Sequence, residues 1–157
     1  MAFAIKHSRC GWVAAGLAIW ALAAPFALRA AREATIGELK ARVGNASIAD
    51  RPPLCIQISE RRLDEADRLY VAGDSEQAQT TLVDVTAFAE LARDYAIQSH
   101  KHEKQSEIAI RKMARKLTNL KHAVAHEDQG KIQDVIDRLQ RIRDDLLAAM
   151  FPNGVKK

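Results

Sequence analysis

Residues 98–107 have the sequence QSHKHEKQSE, and this stretch decides how the chain folds. None of its side chains is strongly apolar, and it lies within more than fifty consecutive residues that contain neither Pro nor Gly. Pro and Gly are the residues that most often interrupt a helix. The stretch is therefore a loop, a metal site or the polar middle of a long helix, and the residues on either side distinguish these alternatives.

Length and composition indicate one helical domain. The chain has 157 residues, of which 48% are hydrophobic, 28% charged and only 5% aromatic. A chain of this length with this balance is typical of a globular protein rather than a disordered one. The abundance of Ala, Leu, Arg, Glu, Gln and Lys, which are good helix formers, predicts an all-α fold.

Apolar and small residues keep one helical spacing on both sides of the polar stretch, and Ser99, Glu103 and Ser106 continue that spacing through it. Successive steps alternate between three and four residues, which is the seven-residue register of a coiled coil. The register comprises Leu82, Val85, Ala89, Ala92, Ala96, Ser99, Glu103, Ser106, Ile110, Met113, Leu117, Leu120 and Val124. A loop would not preserve this phase, so the pattern predicts one helix from about residue 76 to residue 126, about 75 Å long at 1.5 Å per residue.

Shorter amphipathic helices are predicted before and after the long one, at residues 54–71 and from about residue 132 to residue 150. Gly73 and Asp74 separate the first two helices, and Gly130 separates the last two. Because these connections are short, each short helix folds back along the long helix, and residues 95–106 stay uncovered. The preferred architecture is therefore two short helices packed on one long central helix.

The alternative architecture is an up-down-up-down four-helix bundle, in which the long helix breaks near residues 99–104. A bundle buries more surface within one copy of the chain, which favours it. The unbroken register favours the continuous helix instead, as does the absence of Gly, Pro, Asn and Asp from the polar stretch.

Residues 1–30 have the composition of a targeting segment. Lys6 and Arg9 precede the uncharged residues 11–28, and small residues follow near position 30. This order predicts a secretory signal peptide, or a retained N-terminal membrane anchor, because residues 11–28 are about long enough to span a bilayer. Either alternative makes the protein an exported one, periplasmic or extracellular, and the second tethers it to the membrane.

Residues 31–53 are predicted to be a linker, residues 54–151 the helical domain and residues 152–157 a tail. One short helix is expected in the linker after Thr35, whose spacing to Glu38 fits a capping box. Removal of residues 1–30 with Cys10 leaves Cys55 as a single cysteine among apolar residues. A buried thiol is the expectation, and an intermolecular disulfide between two copies is the alternative.

Histidines supply the one candidate metal site. His122 and His126 are four residues apart, which places both imidazoles on one face of a helix where they could share a metal ion. His100 and His102 are two residues apart and would diverge on a helix. Solvated histidines on a helix face account for the same spacing.

No motif for catalysis is present in the sequence. It has no Gly-rich phosphate loop, no zinc-protease HExxH motif, no cysteine next to a histidine and no Gly-x-Ser-x-Gly turn. We therefore expect no enzyme activity, no cofactor and no small-molecule substrate. Beyond residue 30 the formal charge is only +1, which does not favour nucleic acid as a partner.

Charge is distributed unevenly beyond residue 30. Residues 55–97 contain four cations and nine anions, whereas residues 98–122 contain seven cations and two anions. Such segregation favours head-to-tail pairing of two copies or contact with an anionic envelope surface, and ion pairs within a helix also account for it. The predicted partner surface consists of Lys101, Lys104, Arg111, Lys112 and Arg115.

The run RRLDEADRLYVAGDSEQAQTTL, residues 61–82, resembles one tetratricopeptide-type helical hairpin. Ala66, Leu69 and Tyr70 precede the Gly73–Asp74 turn, and Ala78 and Leu82 follow it. The usual closing Pro is missing and no second copy follows, so the resemblance implies hairpin packing of the two helices and not a repeat array.

Together these patterns predict an exported, non-enzymatic helical protein that acts through protein–protein contacts and associates with itself. The alternative is a metal-responsive or chaperone-like envelope protein that uses His122 and His126.

Overall fold

Five α-helices and one short 3-10 turn make up the computed structural model, which describes residues 34–152. The elements are α1 (Ile36–Asn45), the 3-10 turn (Ile48–Asp50), α2 (Arg51–Ala72), α3 (Ser75–Ser99), α4 (Glu103–Ala123) and α5 (His126–Met150). No strand occurs between residues 34 and 152, so the predicted all-α fold is confirmed. The targeting segment and residues 153–157 of the tail lie outside the described residues.

α1 begins at the predicted capping box. The Thr35 hydroxyl accepts a hydrogen bond from the Glu38 amide at 3.2 Å, and the Glu38 carboxylate accepts one from the Thr35 amide at 2.6 Å. These contacts satisfy two amides that have no partner within the helix. Leu39 of α1 is fully buried, and Lys40 lies 5.1 Å from the centre of the Phe88 ring of α3.

The described part of the predicted linker, residues 34–53, is largely helical and packed in the structure and is not an extended connection. Residues from Ala34 onward belong to the same compact unit as the four long helices. Pro52 and Pro53, which lie within the predicted linker, occupy the first turn of α2. A proline is tolerated there because the first amides of a helix have no intrahelical acceptor.

α2 and α3 form an antiparallel hairpin at the predicted turn. Gly73 has a φ of 83°, and the Asp74 side chain accepts a hydrogen bond from the Gln77 amide at 3.2 Å. The amides of Gly73 and Asp74 donate to carbonyl groups in the last turn of α2, which is the Schellman arrangement. Across the hairpin, the Ser59 hydroxyl donates to the Val85 carbonyl at 2.7 Å.

The prediction of one continuous long helix is wrong. α3 ends at Ser99 and α4 begins at Glu103, because His100 and His102 adopt left-handed conformations with φ of 52° and 63°. The amide of His100 donates to the Ile97 carbonyl and that of Lys101 donates to Ala96, which closes α3 as a glycine would. Histidine, like Asn and Asp, adopts this conformation more readily than most side chains.

Folding back at this turn brings both halves of the seven-residue register into one core. The buried residues of the register are Leu82, Val85, Ala89, Ala92, Ala96, Ser106, Ile110, Met113, Leu117 and Leu120. The register therefore identified the inward face of α3 and of α4, although it did not identify the break. Residues 95–106 are not uncovered as predicted, since Ala96 and Ser106 are buried.

α4 and α5 form a second antiparallel hairpin that lies beside the first. Across it, Lys121 contacts the Gln133 side chain at 2.7 Å. Between the hairpins, α2 runs parallel to α4, and α3 runs parallel to α5. Successive long helices thus alternate in direction, as in the bundle that was the alternative prediction. None of the helices between residues 34 and 152 is long and apolar enough to span a membrane.

We predict that Leu39→Ala destabilises the full chain by about 2–4 kcal/mol, because it opens a cavity where α1 packs on the bundle. The matched control is Leu91→Ala on α3, whose side chain is 37% exposed and should cost much less. Urea unfolding followed by far-UV circular dichroism measures both. Equal, small losses would show that α1 contributes nothing to the core.

Candidate functional site: the basic face of α4

The five cations of the predicted partner surface are all exposed. Lys104, Arg111 and Arg115 follow one another at intervals of seven and four residues, which aligns them along one side of α4. Lys112 lies beside this row, and Lys101 lies in the turn just before α4. We call these five residues, Lys101, Lys104, Arg111, Lys112 and Arg115, the basic face.

Most of the basic face has no carboxylate partner. Arg111 lies 3.6 Å from Glu107. Within residues 34–152, the other four cations form no ion pair within 4.0 Å, and these are Lys101, Lys104, Lys112 and Arg115. An exposed cation without a counter-charge keeps its attraction for an external anion, and this attraction is the chemistry that the face offers.

Other cations of α4 are neutralised within the chain. The Lys116 ammonium lies 2.7 Å from Asp64 and 3.1 Å from Asp67, both on α2. Partial burial lowers the pKa of Lys116, but its contacts with these two carboxylates outweigh that effect and raise it. The uneven charge along the sequence is thus partly cancelled where α4 packs on α2.

Glu107 is the acid of α4 that would otherwise neutralise the basic face, and it points inward. The residue is only 7% exposed, and its carboxylate accepts a hydrogen bond from Arg143 of α5 at 2.8 Å. A buried carboxylate needs such a charged partner, since an unpaired one would be strongly destabilising. Because Arg143 already occupies Glu107, the intrahelical pair with Arg111 is the longer and weaker of its two ion pairs.

Lys112 faces a second acidic group across the packed helices, Glu60 of α2. Partial burial raises the pKa of Glu60, the neighbouring Asp64 raises it further, and Lys112 opposes both. Glu60 and Asp64 are four residues apart on α2, so their like charges repel each other across one helical turn. Lys112 is too distant for an ion pair and only weakens this repulsion.

The candidate metal site lacks the geometry that motivated it. His122 lies in the last turn of α4, whereas His126 is the first residue of α5, and Val124 between them has an extended backbone with ψ of 167°. The two imidazoles therefore do not share a helix face. Across residues 34–152, no group of three or more His, Cys, Asp or Glu side chains could hold a metal ion.

A buried polar cluster that the sequence did not predict lies at the end of the bundle opposite His100. Asp128 is only 4% exposed and accepts hydrogen bonds from Ser75 and Gln79 of α3, each at 2.8 Å. The Tyr70 hydroxyl is buried without a protein hydrogen-bond partner, and burial, helped by Asp128, raises the pKa of Tyr70 to about 12. The cluster joins the starts of α3 and α5, and no spacing in the sequence signals it.

Cys55 is the free thiol of the described chain, and it is fully buried. Burial raises the pKa of Cys55 to about 11, against a smaller opposing effect of Arg51. The expected core thiol is confirmed. An intermolecular disulfide at Cys55 would require α2 to leave the core.

Comparisons with protein-family models, with curated proteins and with solved structures find no match for this chain.

We predict that Cys55 resists thiol reagents in the folded protein. At a pKa of about 11, roughly one thiol in a thousand is ionised near pH 8, and burial blocks access to that fraction. The measurement is the rate of iodoacetamide labelling in a Cys10→Ser variant of the full chain, with and without urea. Equal rates in the two conditions would contradict the burial of Cys55.

We predict that Glu60→Gln stabilises the protein near pH 7 by up to about 0.5 kcal/mol, because it removes the repulsion with Asp64. The folded-state pKa of Glu60 lies above its unfolded value, so ionisation of Glu60 opposes folding at neutral pH and not in acid. The gain should therefore vanish near pH 3. Urea unfolding of both proteins at the two pH values tests this, and Asp134→Asn is the control on an exposed acid.

Proposed function

We propose that this chain is an exported, non-enzymatic helical protein that acts through contact with another protein, and that the basic face of α4 binds an acidic surface of that partner. The observation that carries the proposal is the set of four exposed cations, Lys101, Lys104, Lys112 and Arg115, without an ion-pair partner in the described residues.

The physical argument concerns the cost of bringing charges together. Cations that are already paired must lose a partner before they bind an external anion, whereas the four unpaired ones need only exchange water and counter-ions. Clustered charges of one sign also attract an oppositely charged surface over about 10 Å at moderate ionic strength, which accelerates association. A partner with a row of carboxylates would pair with these free cations at low cost and would also be attracted to them from a distance.

The spacing on α4 restricts the shape of that partner. From Lys104 to Arg111 is about 10 Å along the helix axis, and from Arg111 to Arg115 about 6 Å. An acidic helix has carboxylates at matching separations when acids recur every four and seven residues along one of its faces. We therefore expect the partner to present such a helix, or an extended acidic segment of about the same length.

Export supports the choice of partner class. The order of charge and hydropathy in residues 1–30 is that of a secretory signal or an anchor over residues 11–28. On this proposal the partner is another protein of the same exterior compartment. An anionic lipid surface is the alternative partner for a basic face in that compartment. Crosslinking distinguishes it from a protein.

The test is photo-crosslinking in living cells from Gln105, an exposed residue next to Lys104. Gln140 on α5, which is also exposed, is the control position for the crosslinker. We expect a discrete protein adduct from Gln105 that Gln140 does not give. Mass spectrometry of the adduct should locate the link near a run of acidic residues.

Charge reversal then separates an electrostatic contact from mere proximity. Lys104→Glu with Arg115→Glu should reduce the yield of the adduct by about tenfold or more, because it replaces attraction with like-charge repulsion. Lys131→Glu with Arg141→Glu, which changes the same total charge on exposed residues of α5, should leave the yield nearly unchanged. Reversal of the linked acids on the partner should restore it.

Two results would overturn the proposal. An adduct that survives reversal of Lys104 and Arg115 would show that the basic face does not select the partner. Crosslinks confined to lipid, again lost on reversal, would assign the basic face to an anionic membrane instead of a protein.

A further inference from the structure

The turn between α3 and α4 is held in an unfavourable backbone conformation. Among residues 34–152, His100 and His102 are the non-glycine residues with positive φ, at 52° and 63°. For most residues with a side chain, this conformation is disfavoured by roughly fivefold to thirtyfold in an equilibrium constant relative to the helical one, and histidine pays less than most but still a penalty. Both penalties fall within three residues, so opening of the turn would relieve the backbone strain at both of them.

The same residues are suited to a straight helix. The stretch 98–107 contains no Gly, Pro, Asn or Asp, and Gln, Lys and Glu are good helix formers. The seven-residue register of α3 continues into α4 without a skip across residues 99–106. If the turn straightened, the inward faces of α3 and α4 would therefore form one continuous stripe.

The turn also leaves one polar group incompletely satisfied. The Oε1 atom of Glu103 is buried without a hydrogen-bond partner, and the Nδ1 atom of the His100 imidazole lies 3.7 Å from it. This distance is too long for a hydrogen bond.

The contacts that hold the second hairpin are all to α2 and α3 and need not come from the same chain. Ion pairs and hydrogen bonds link the hairpins along their length, and they involve Asp64 with Lys116, Glu90 with Arg138, Arg93 with Asp145 and Ser75 with Asp128. Each would form equally well with the α4–α5 hairpin of a second copy. Strain in the turn would be lost and the packing kept.

We propose that the chain forms a hairpin-exchanged dimer, in which residues 100–102 become helical, α3 and α4 join into one long helix, and each α4–α5 hairpin packs on α2 and α3 of the other copy. Because α3 and α4 run in opposite directions in the closed chain, the two long helices of the dimer are antiparallel and related by a twofold axis. The partner is a second copy of this chain.

A crosslink distinguishes exchange from every other kind of dimer. Glu90→Cys with Arg138→Cys, placed in a Cys10→Ser background, puts two thiols where a 2.6 Å ion pair joins α3 to α5. A short bismaleimide links them within one chain in the closed form and between chains in the exchanged form. The control is Arg62→Cys with Asp84→Cys, whose 3.0 Å ion pair lies within the first hairpin and stays within one chain in both forms.

Two hinge variants should shift the equilibrium in opposite directions. Glycine is unstrained in a left-handed turn and weakens a helix, so His100→Gly with His102→Gly should favour the closed monomer. Alanine is strained in the turn and is the best helix former, so His100→Ala with His102→Ala should favour the dimer. We expect their dimer dissociation constants to differ by about 100-fold or more, as measured by light scattering on the full chain.

The expected result is a covalent dimer from the Glu90–Arg138 thiol pair, strongest in the alanine variant and weakest in the glycine variant, with the Arg62–Asp84 control linked only within chains. The proposal is overturned if both hinge variants are equally monomeric. It is equally overturned if they dimerise while the Glu90–Arg138 link stays within one chain, since that dimer does not exchange hairpins. Circular dichroism confirms that each variant is helical.

Discussion

Packing of the α4–α5 hairpin against α2 and α3 is the interaction on which the other features of the structure depend. Three small residues on the inward face of α3, Ala89, Ala92 and Ala96, share one buried core with larger side chains such as Leu139 and Ile142 on α5. Each fully buried Leu or Ile contributes about 1.5–3 kcal/mol, whereas each left-handed His costs about 1–2 kcal/mol. Several buried aliphatic side chains on α4 and α5 therefore outweigh two strained residues, and the chain bends where the sequence contains no glycine.

Charged side chains have a smaller energetic role and a larger directional one. Exposed ion pairs such as Arg138 with Glu90 contribute about 1 kcal/mol or less each. They connect α3 to α5 at fixed offsets, and they would oppose a shift of one hairpin along the other. Lys116 likewise forms ion pairs with α2. The basic face consists of the cations of this region that form no ion pair between the two hairpins.

Local chemistry predicted much of this fold. The capping box at Thr35, the turn at Gly73 and the buried faces of α3 and α4 all follow from residue type and spacing, which act over a few residues. The helix break could not be predicted in this way. The backbone strain at His100 and His102 is local, but it is outweighed by burial of apolar side chains more than ten residues away. The exposed row on α4 was predictable for the same local reason, whereas the pairing of Glu107 with Arg143 depends on how α5 packs and has no signal in either helix alone.

The seven-residue register fits both a bent and a straight α3–α4 segment. For this reason the basic face and the proposed exchange of hairpins are compatible with each other. The basic face lies on the side of α4 that faces solvent, away from the buried register, so the same residues remain exposed whichever copy supplies the packing. A dimer carries two such faces on antiparallel helices. A partner with two acidic segments at a matching separation would then bind with an avidity of about 10²–10⁴ over one face, without any new contact. If the basic face binds a partner as proposed, straightening of residues 100–102 would control the strength of that binding through the number of faces presented, and not through a change at the binding surface.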